Sequence, residues 1–347
     1  MKEPLNIVSE SFKVGKVGGP NKVITNTISG LNKIGYPFEI NKDIRHFKYN
    51  WIHDSIEGLI EVGINKTPAL IGPNIVVLPS DLPSLRPSLV NCIYLSPSQW
   101  CIDLWNICGF SECPIQLWPA GINIEDFNLK REVSDRSDVM IYFKRRDPLL
   151  LKQAVSIVNK MGLNPKVIKY GEYTETKYKE TLSNSKFGIW IGLSESQGIG
   201  LLEALASGLP MIVCNVNSLF ESPSKNDQIF PEKLRSFKPS CSPYFDNRCG
   251  IIINDISELK DTIYEISSNL SHYNPREYVV ENLSIEKQAR ELLSFFDILK
   301  QSHPGYFSKP AFKSKGGDFR ISLRGSLINK IFLIMRKTKT VFRIIKR

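Results

Sequence analysis

The chain has 347 residues, 42% of them hydrophobic and 23% charged, which excludes a disordered or fibrous protein and is too long for one ordinary core, so two domains are expected. Its net charge of +10 is not spread evenly: residues 301–347 hold twelve Lys or Arg against one acid, Asp318, and carry +11, leaving residues 1–300 at −1. A near-neutral body argues against nucleic acid as its partner, and the charge belongs to a tail. The seven cysteines (Cys92, Cys101, Cys108, Cys113, Cys214, Cys241, Cys249) form no C-x-x-C pair and sit mostly in apolar runs, so they read as reduced core residues rather than disulfides or metal ligands. The start lacks the apolar stretch of a signal peptide, and no run is long enough to span a bilayer, so a cytoplasmic protein is expected.

In chain order, Leu5-Asn6-Ile7-Val8 reads as a strand, Gly15, Gly18, Gly19 and Pro20 as a glycine turn, and Val23, Ile24, Ile28 and Leu31 as one face of a helix. This is how a Rossmann-like unit opens, with glycines letting a phosphate or sugar approach the backbone. Ala69–Gly72, Ile75–Leu78 and Cys92–Leu95 have the length and β-branched content of buried strands, in a domain ending near residue 125. A second alternation follows: strand at Val139–Phe143, helix from Leu149 through Val158, strand at Val167–Tyr170, helix at Glu175–Leu182, strand at Phe187–Ile191, helix at Ile199–Ala206 and strand at Met211–Cys214. After an irregular stretch from Asn217 to Arg248 come a strand at Gly250–Ile253 and helices at Ile256–Asn269 and Ile285–Lys300. Strands separated by helices predict parallel sheets covered on both faces, with ligands at the carboxyl ends of the strands.

The chemistry concentrates in Ser194-Glu195-Ser196-Gln197-Gly198-Ile199-Gly200-Leu201-Leu202-Glu203-Ala204-Leu205-Ala206-Ser207-Gly208-Leu209-Pro210. Here a strand meets a helix. Gly198 and Gly200 bare the backbone, and the amides of Gln197 to Gly200 offer a seat for a diphosphate. Glu203, one turn in, can accept a ribose diol, while Glu195 can hold sugar hydroxyls beside the phosphates. Lys144, Arg145 and Arg146 follow the first strand of the second domain and supply cations for the leaving diphosphate, Lys144 and Arg146 being preferred; a solvated cluster at a strand end is the plain alternative. Tyr170 and Gly171 end the next strand and join the donor set, as does Gly19. His53, in Trp51-Ile52-His53-Asp54, is a histidine for the reacting sugar, or else a neutral structural one. No metal or cofactor is expected, the nucleotide sugar being a substrate.

Two glutamates seven residues apart, followed by Ala-x-Ala-x-Gly-x-Pro, resemble the E-x7-E signature of retaining GT-B glycosyltransferases, the glycosyltransferase family 4-like group that includes glycogen and sucrose synthase relatives. Gly18-Gly19-Pro20 is similar to their amino-terminal glycine loop, and Pro119-Ala120-Gly121-Ile122-Asn123 to their interdomain hinge. The resemblance covers residues 1–300. It implies two Rossmann-like doubly wound domains facing across a cleft, over 1–125 and 126–285, with a closing helix at 286–300. It also implies transfer from a nucleotide-diphosphate sugar with retention of configuration and no metal. Under it Glu203 binds ribose, while Glu195 and the Gln197–Gly200 amides bind sugar and phosphate. The chain departs from the pattern by lacking one strand-helix unit before Tyr170 and by carrying Lys-Arg-Arg-Asp-Pro after its first strand. A sugar-nucleotide 2-epimerase of the same fold and a non-catalytic binding module are the alternatives.

The tail, 301–347, has its own signal. From Arg324, Leu327, Ile328, Ile331, Ile334, Met335, Val341, Phe342 and Ile345 share one helical face, widened by Phe332 and Leu333, while Lys330, Lys337, Arg343 and Arg347 lie largely elsewhere. A basic amphipathic helix over 324–347 suits the anionic inner face of a membrane, and hence a surface-glycan or lipid-linked acceptor. Packing on its own domain is the plain alternative, and RNA binding a weaker third.

Overall fold

The structure, a computed structural model, describes residues 2–12, 18–82, 88–128, 135–223 and 230–308. The amphipathic helix expected at 324–347 lies outside the described residues. Two compact units result: one takes the described residues up to Ser96, Trp105–Trp118 and those from Ala289 onward, the other Pro97–Leu104 and those between Pro119 and Gln288.

The first unit alternates β1 (Leu5–Val8), α1 (Gly19–Lys33), β2 (Phe38–Ile40), β3 (Tyr49–Ile52), α2 (Ile56–Asn65), β4 (Ala69–Ile71), β5 (Cys92–Ser96), the last turn of α3 (Gln99–Ile107), whose residues up to Leu104 belong to the second unit, and β6 (Ile115–Leu117). These strands form one parallel sheet in the order β2-β1-β3-β4-β5-β6. One face is closed by Leu59 and Val62 of α2 and Trp105 of α3, packed on Val8, Ile52, Ile71 and Tyr94.

Two differences from the sequence expectation have clear causes. Ile75–Leu78 is not a strand: β4 already pairs with β3 and β5, so no ladder is open beside it. Its neighbourhood's polar backbone is instead met piecemeal, by Asn74 N–H on His53 O at 3.2 Å and by the Trp105 indole on Val77 O at 3.1 Å. Conversely, β3 lies near the centre of the sheet yet carries the polar Asn50, which breaks the apolar run. Asn50 is fully buried because Asn6 Nδ2 donates to its Oδ1 at 2.9 Å and its own amide donates to Ile44 O and Phe47 O.

The second unit contains β7 (Asp138–Phe143), α4 (Pro148–Lys160), β8 (Asn164–Lys169), α5 (Glu175–Asn184), β9 (Ser185–Ile191), α6 (Ile199–Ala206), β10 (Met211–Cys214), β11 (Gly250–Ile253), α7 (Leu259–Ser268) and α8 (Pro275–Leu283). A further helix, α9 (Ile285–Ser302), begins in this unit and continues in the first, followed by the short α10 (Pro304–Phe307). The strands are again parallel, ordered β11-β10-β9-β7-β8. Because side chains alternate along a strand, β7 sends Val139 and Ile141 to a core shared with α4 and α7, and Met140 and Tyr142 to one shared with α5, α6 and α8. Both faces are thus covered. Only β8 lies between the Lys144 cluster and Tyr170, as the sequence suggested. Among the described residues, no helix is long and apolar enough to cross a membrane.

Candidate active site

The site is built at the carboxyl ends of β7 and β9. Lys144, the residue after β7, donates its backbone N–H to Ile191 O at 2.9 Å, so the two strand ends stay locked together. Its Nζ reaches Glu195 Oε1 at 2.6 Å, with side-chain exposures of 18% and 13%. Burial pushes the Glu195 carboxyl up, outweighing the opposing pull of Lys144 and Arg145. The pair is therefore kept against desolvation at the carboxyl edge of a parallel sheet.

The neighbouring cations divide their tasks. Arg145 adopts left-handed backbone (φ 53°), a conformation that costs a non-glycine residue about 1 kcal/mol and gathers at functional sites. Its guanidinium lies 5.6 Å from the centre of the Tyr170 ring, and Lys144 Nζ lies 4.6 Å from it, so two cations share one aromatic ring at the end of β8. That ring is 48% exposed, and Gly171 turns the chain away from it. Arg146 points into the protein instead: its Nη1 donates to Gly192 O, Cys214 O and Asn215 O, and Nη2 pairs with Glu221 at 2.7 Å. Arg146 thus ties the ends of β9 and β10 together, while Arg145 stays at the Tyr170 ring.

Glu195 lies at the approach to α6. Gly198 caps that helix in left-handed backbone (φ 79°), which glycine adopts without a Cβ penalty; no side chain caps the helix and no acid stands in its first turn. The first amides of the helix therefore have no intrahelical acceptor. Ser196 is exposed at this edge, whereas the Gln197 side chain is used internally, its Oε1 accepting Ala120 N–H at 3.0 Å and its Nε2 donating to Ala120 O at 2.6 Å. Those bonds fix the Pro119–Asn123 segment, where Gly121 sits so close to Ile285 that a Cβ would collide with its backbone. Glu203, one turn into α6, is 5% exposed and lies beside Tyr178.

An aromatic floor that the sequence analysis missed supports all of this. Tyr142 and Trp190, register partners on β7 and β9, stack at 3.8 Å with planes 2° apart. Tyr178 adds its hydroxyl, donating to Gly200 O at 2.6 Å, with Tyr173 beside it at 5.4 Å. Burial above all, with Glu203 adding to it, drives the Tyr178 hydroxyl far above its usual range, so it stays a donor. The signal available in sequence was pairing: both rings stand two residues from the Lys144 and Gly192 strand ends.

The remaining expected site residues lie in the first unit. Gly19 opens α1, exposed and with open space around it. His53 is fully buried after β3, its Nε2 facing Asn74 Nδ2 at 3.0 Å and its Nδ1 3.5 Å from Asp54 Oδ1.

No family model matches the chain, and no curated protein matches it in sequence. Two parallel, helix-covered sheets of six and five strands define an α/β fold of the GT-B class. The chain is similar to a sucrose-phosphate synthase from Thermosynechococcus elongatus, at 13% identity and a TM-score of 0.55, covering 87% of this chain and all of that one. It is also similar to Anabaena HepE in complex with UDP and glucose, at 11% identity and 0.52, covering 85% of this chain and 100% of that one. A third is the lipopolysaccharide outer core galactosyltransferase WaaB, at 10% and 0.51, covering 84% and 99%.

Proposed function

We propose that the chain is a glycosyltransferase that moves a hexosyl group from a nucleotide-diphosphate sugar to a hydroxyl of a surface-glycan or lipid-linked acceptor, retaining anomeric configuration and needing no metal. The observation that carries the reading is the Lys144–Glu195 pair at the uncapped start of α6, with Arg145 alongside. The fold supports it, since a GT-B neighbour binds UDP and glucose and another is a galactosyltransferase. The E-x7-E resemblance supports retention.

In this reading the diphosphate lies against the α6 amides, with Lys144 and Arg145 on its oxygens, and Glu203 accepts the ribose hydroxyls. Glu195 holds hydroxyls of the donor sugar. Ser196 and the amides of Gln197 to Gly200 border the phosphate, Tyr170 and Gly171 border the nucleoside, and Arg146 positions the strand ends. Gly19 and His53 enter the donor set from the sequence reading alone. The acceptor oxygen bonds to the anomeric carbon as the bond from that carbon to the β-phosphate oxygen breaks. The acceptor proton passes to the departing diphosphate, whose growing charge the fixed cations stabilise. The products are a glycoside and a nucleoside diphosphate. The basic 324–347 segment, read as amphipathic from its sequence, would hold the protein at the cytoplasmic face of an anionic membrane.

The test is a thermal-shift screen of UDP, GDP, ADP and CMP sugars, followed by incubation of the stabilising donor with acceptors. Selective stabilisation and acceptor-dependent nucleotide release are expected. An isomerised donor without release marks an epimerase, and stabilisation with no product marks a binding module; either ends the proposal.

A further inference from the structure

Two partly buried rings beside the Lys144–Glu195 pair have no part in the donor reading. The main chain of Glu195 is gripped from both sides, its N–H donating to Ser240 O at 2.9 Å and its carbonyl accepting the Trp100 indole N–H at 3.1 Å. Phe237, three residues before Ser240, stands with its ring centre 6.3 Å from that of Trp100 and tilted by 48°. The same excursion holds the root of Trp100, because Tyr244 Oη donates to Pro97 O at 2.6 Å. This bond gives Tyr244 a structural role.

The chemistry of the pair is distinctive. The indole's one polar atom is spent on Glu195, so what it presents outward is carbon. Neither ring joins the cores on the two faces of the second sheet, and both keep partial exposure. Two tilted carbon faces, anchored to the main chain of Glu195 next to the exposed Ser196, match a ligand with one C–H face and a hydroxyl edge. A pyranose has that shape. A purely apolar chain would leave the polar rim unused, and a free phosphate would leave the rings unused.

We propose that Trp100 and Phe237 form an acceptor subsite that stacks the C–H face of a pyranose ring and sets it next to Glu195. The inference rests on the glycosyl-transfer reading and adds to it the class of acceptor group: a sugar ring, not a lipid alcohol or a phosphate. The Phe237–Tyr244 stretch then serves acceptor choice, while α6 serves the leaving group.

The test uses the full chain, with two arms read separately. Calorimetry follows UDP, GDP and ADP, which reports on the donor reading alone. Saturation-transfer NMR follows the methyl glycosides of glucose, galactose, mannose and N-acetylglucosamine, which reports on the subsite. Saturation of ring C–H protons is expected for at least one glycoside. Trp100→Ala should weaken that glycoside by about tenfold and Phe237→Ala by about fivefold, with nucleotide affinity changed less than about threefold. Trp100→Phe, which keeps a ring and loses the indole N–H, should retain sugar contact and guards against a folding defect in the alanine variant. Sugar saturation that survives both alanine variants, that is absent in the wild type, or that falls only in step with nucleotide affinity overturns the proposal. Loss of nucleotide binding in the wild type, with sugar contact intact, counts against the donor reading and leaves the subsite standing.

Discussion

The strand ends of the two units handle polarity in opposite ways. In the first unit they are stitched shut: Asp54 accepts the N–H groups of Glu10 and Ser11 at 2.9 and 3.1 Å together with the Ser11 hydroxyl. Asn41 exchanges bonds with Ser9, and Asn6 ties Lys42 and Asn50 together. In the second unit they are held under tension, with a nearly buried carboxylate raised by burial, a non-glycine residue in left-handed backbone and a helix start left uncapped. Equivalent positions on two parallel sheets are thus used once for loop anchoring and once for stored electrostatics. Polar residues at a strand end do not by themselves mark a reaction centre. What separates the two is whether the charge is lowered in energy by its surroundings or kept there against them.

The largest effects should fall in the second unit. Glu195→Ala is expected to reduce turnover by about 100-fold to 1,000-fold, and Glu203→Ala to weaken nucleotide binding by about 100-fold while leaving the fold intact, as removal of charged hydrogen-bond partners does. Steady-state kinetics and calorimetry check both, and unchanged values in the pair would erase the contrast between the units.

Next in size is Lys144→Met, which leaves Glu195 buried without its cation and should cost about 3 kcal/mol in chemical denaturation. The pH dependence has a definite sign. A buried acid whose pKa is raised binds its proton more tightly when folded, so it withdraws stability as pH rises from its ordinary value through the raised one. Glu195→Gln should therefore gain stability relative to wild type over that rise, and a parallel pair of melting curves would refute the buried-charge account.

Asp54→Asn is the matching change in the first unit, and its sign is reversed. Burial raises the carboxyl, but the adjacent His53 ring and the Ser11 hydroxyl outweigh it and hold it far below the usual range, so its contribution is present above the ordinary carboxylate pKa and lost as pH falls. A loss of about 2 kcal/mol is expected at neutral pH, shrinking in acid, with nucleotide affinity unchanged. The smallest effect should be Tyr170→Ala, about threefold in nucleotide affinity from the loss of one exposed aromatic partner, read by calorimetry.

Much of the second unit was legible. α6 and the strands at Met211–Cys214 and Gly250–Ile253 begin and end where the sequence places them, because apolar runs bounded by glycine leave little choice of limits. The first unit was less so. β2 and β6 have three residues each, too few to make a pattern, and β3 hides behind its buried asparagine. The helix at Ile256–Asn269 is split in the structure, a 3-10 turn at Ile256–Glu258 leading into α7, since Asp255 and Glu258 cap the turn reciprocally. At the site, a run of three cations named the place of charge but not which side chain keeps it.

Local sequence by itself determined the alternation of strands and helices, the glycine cap of α6 and the positions of Glu195 and Glu203, all of which follow from periodicity and backbone sterics within a few residues. Tertiary structure alone decided that Lys144 pairs with a residue 51 positions away, that Arg146 turns inward onto carbonyls of two other strands, and that Trp100 braces Glu195 from 95 positions off. The reason is physical: a side chain's partner is set by which strand ends the sheet order brings together, and its protonation by how much water the surrounding chain removes. Neither quantity is carried by neighbours in sequence.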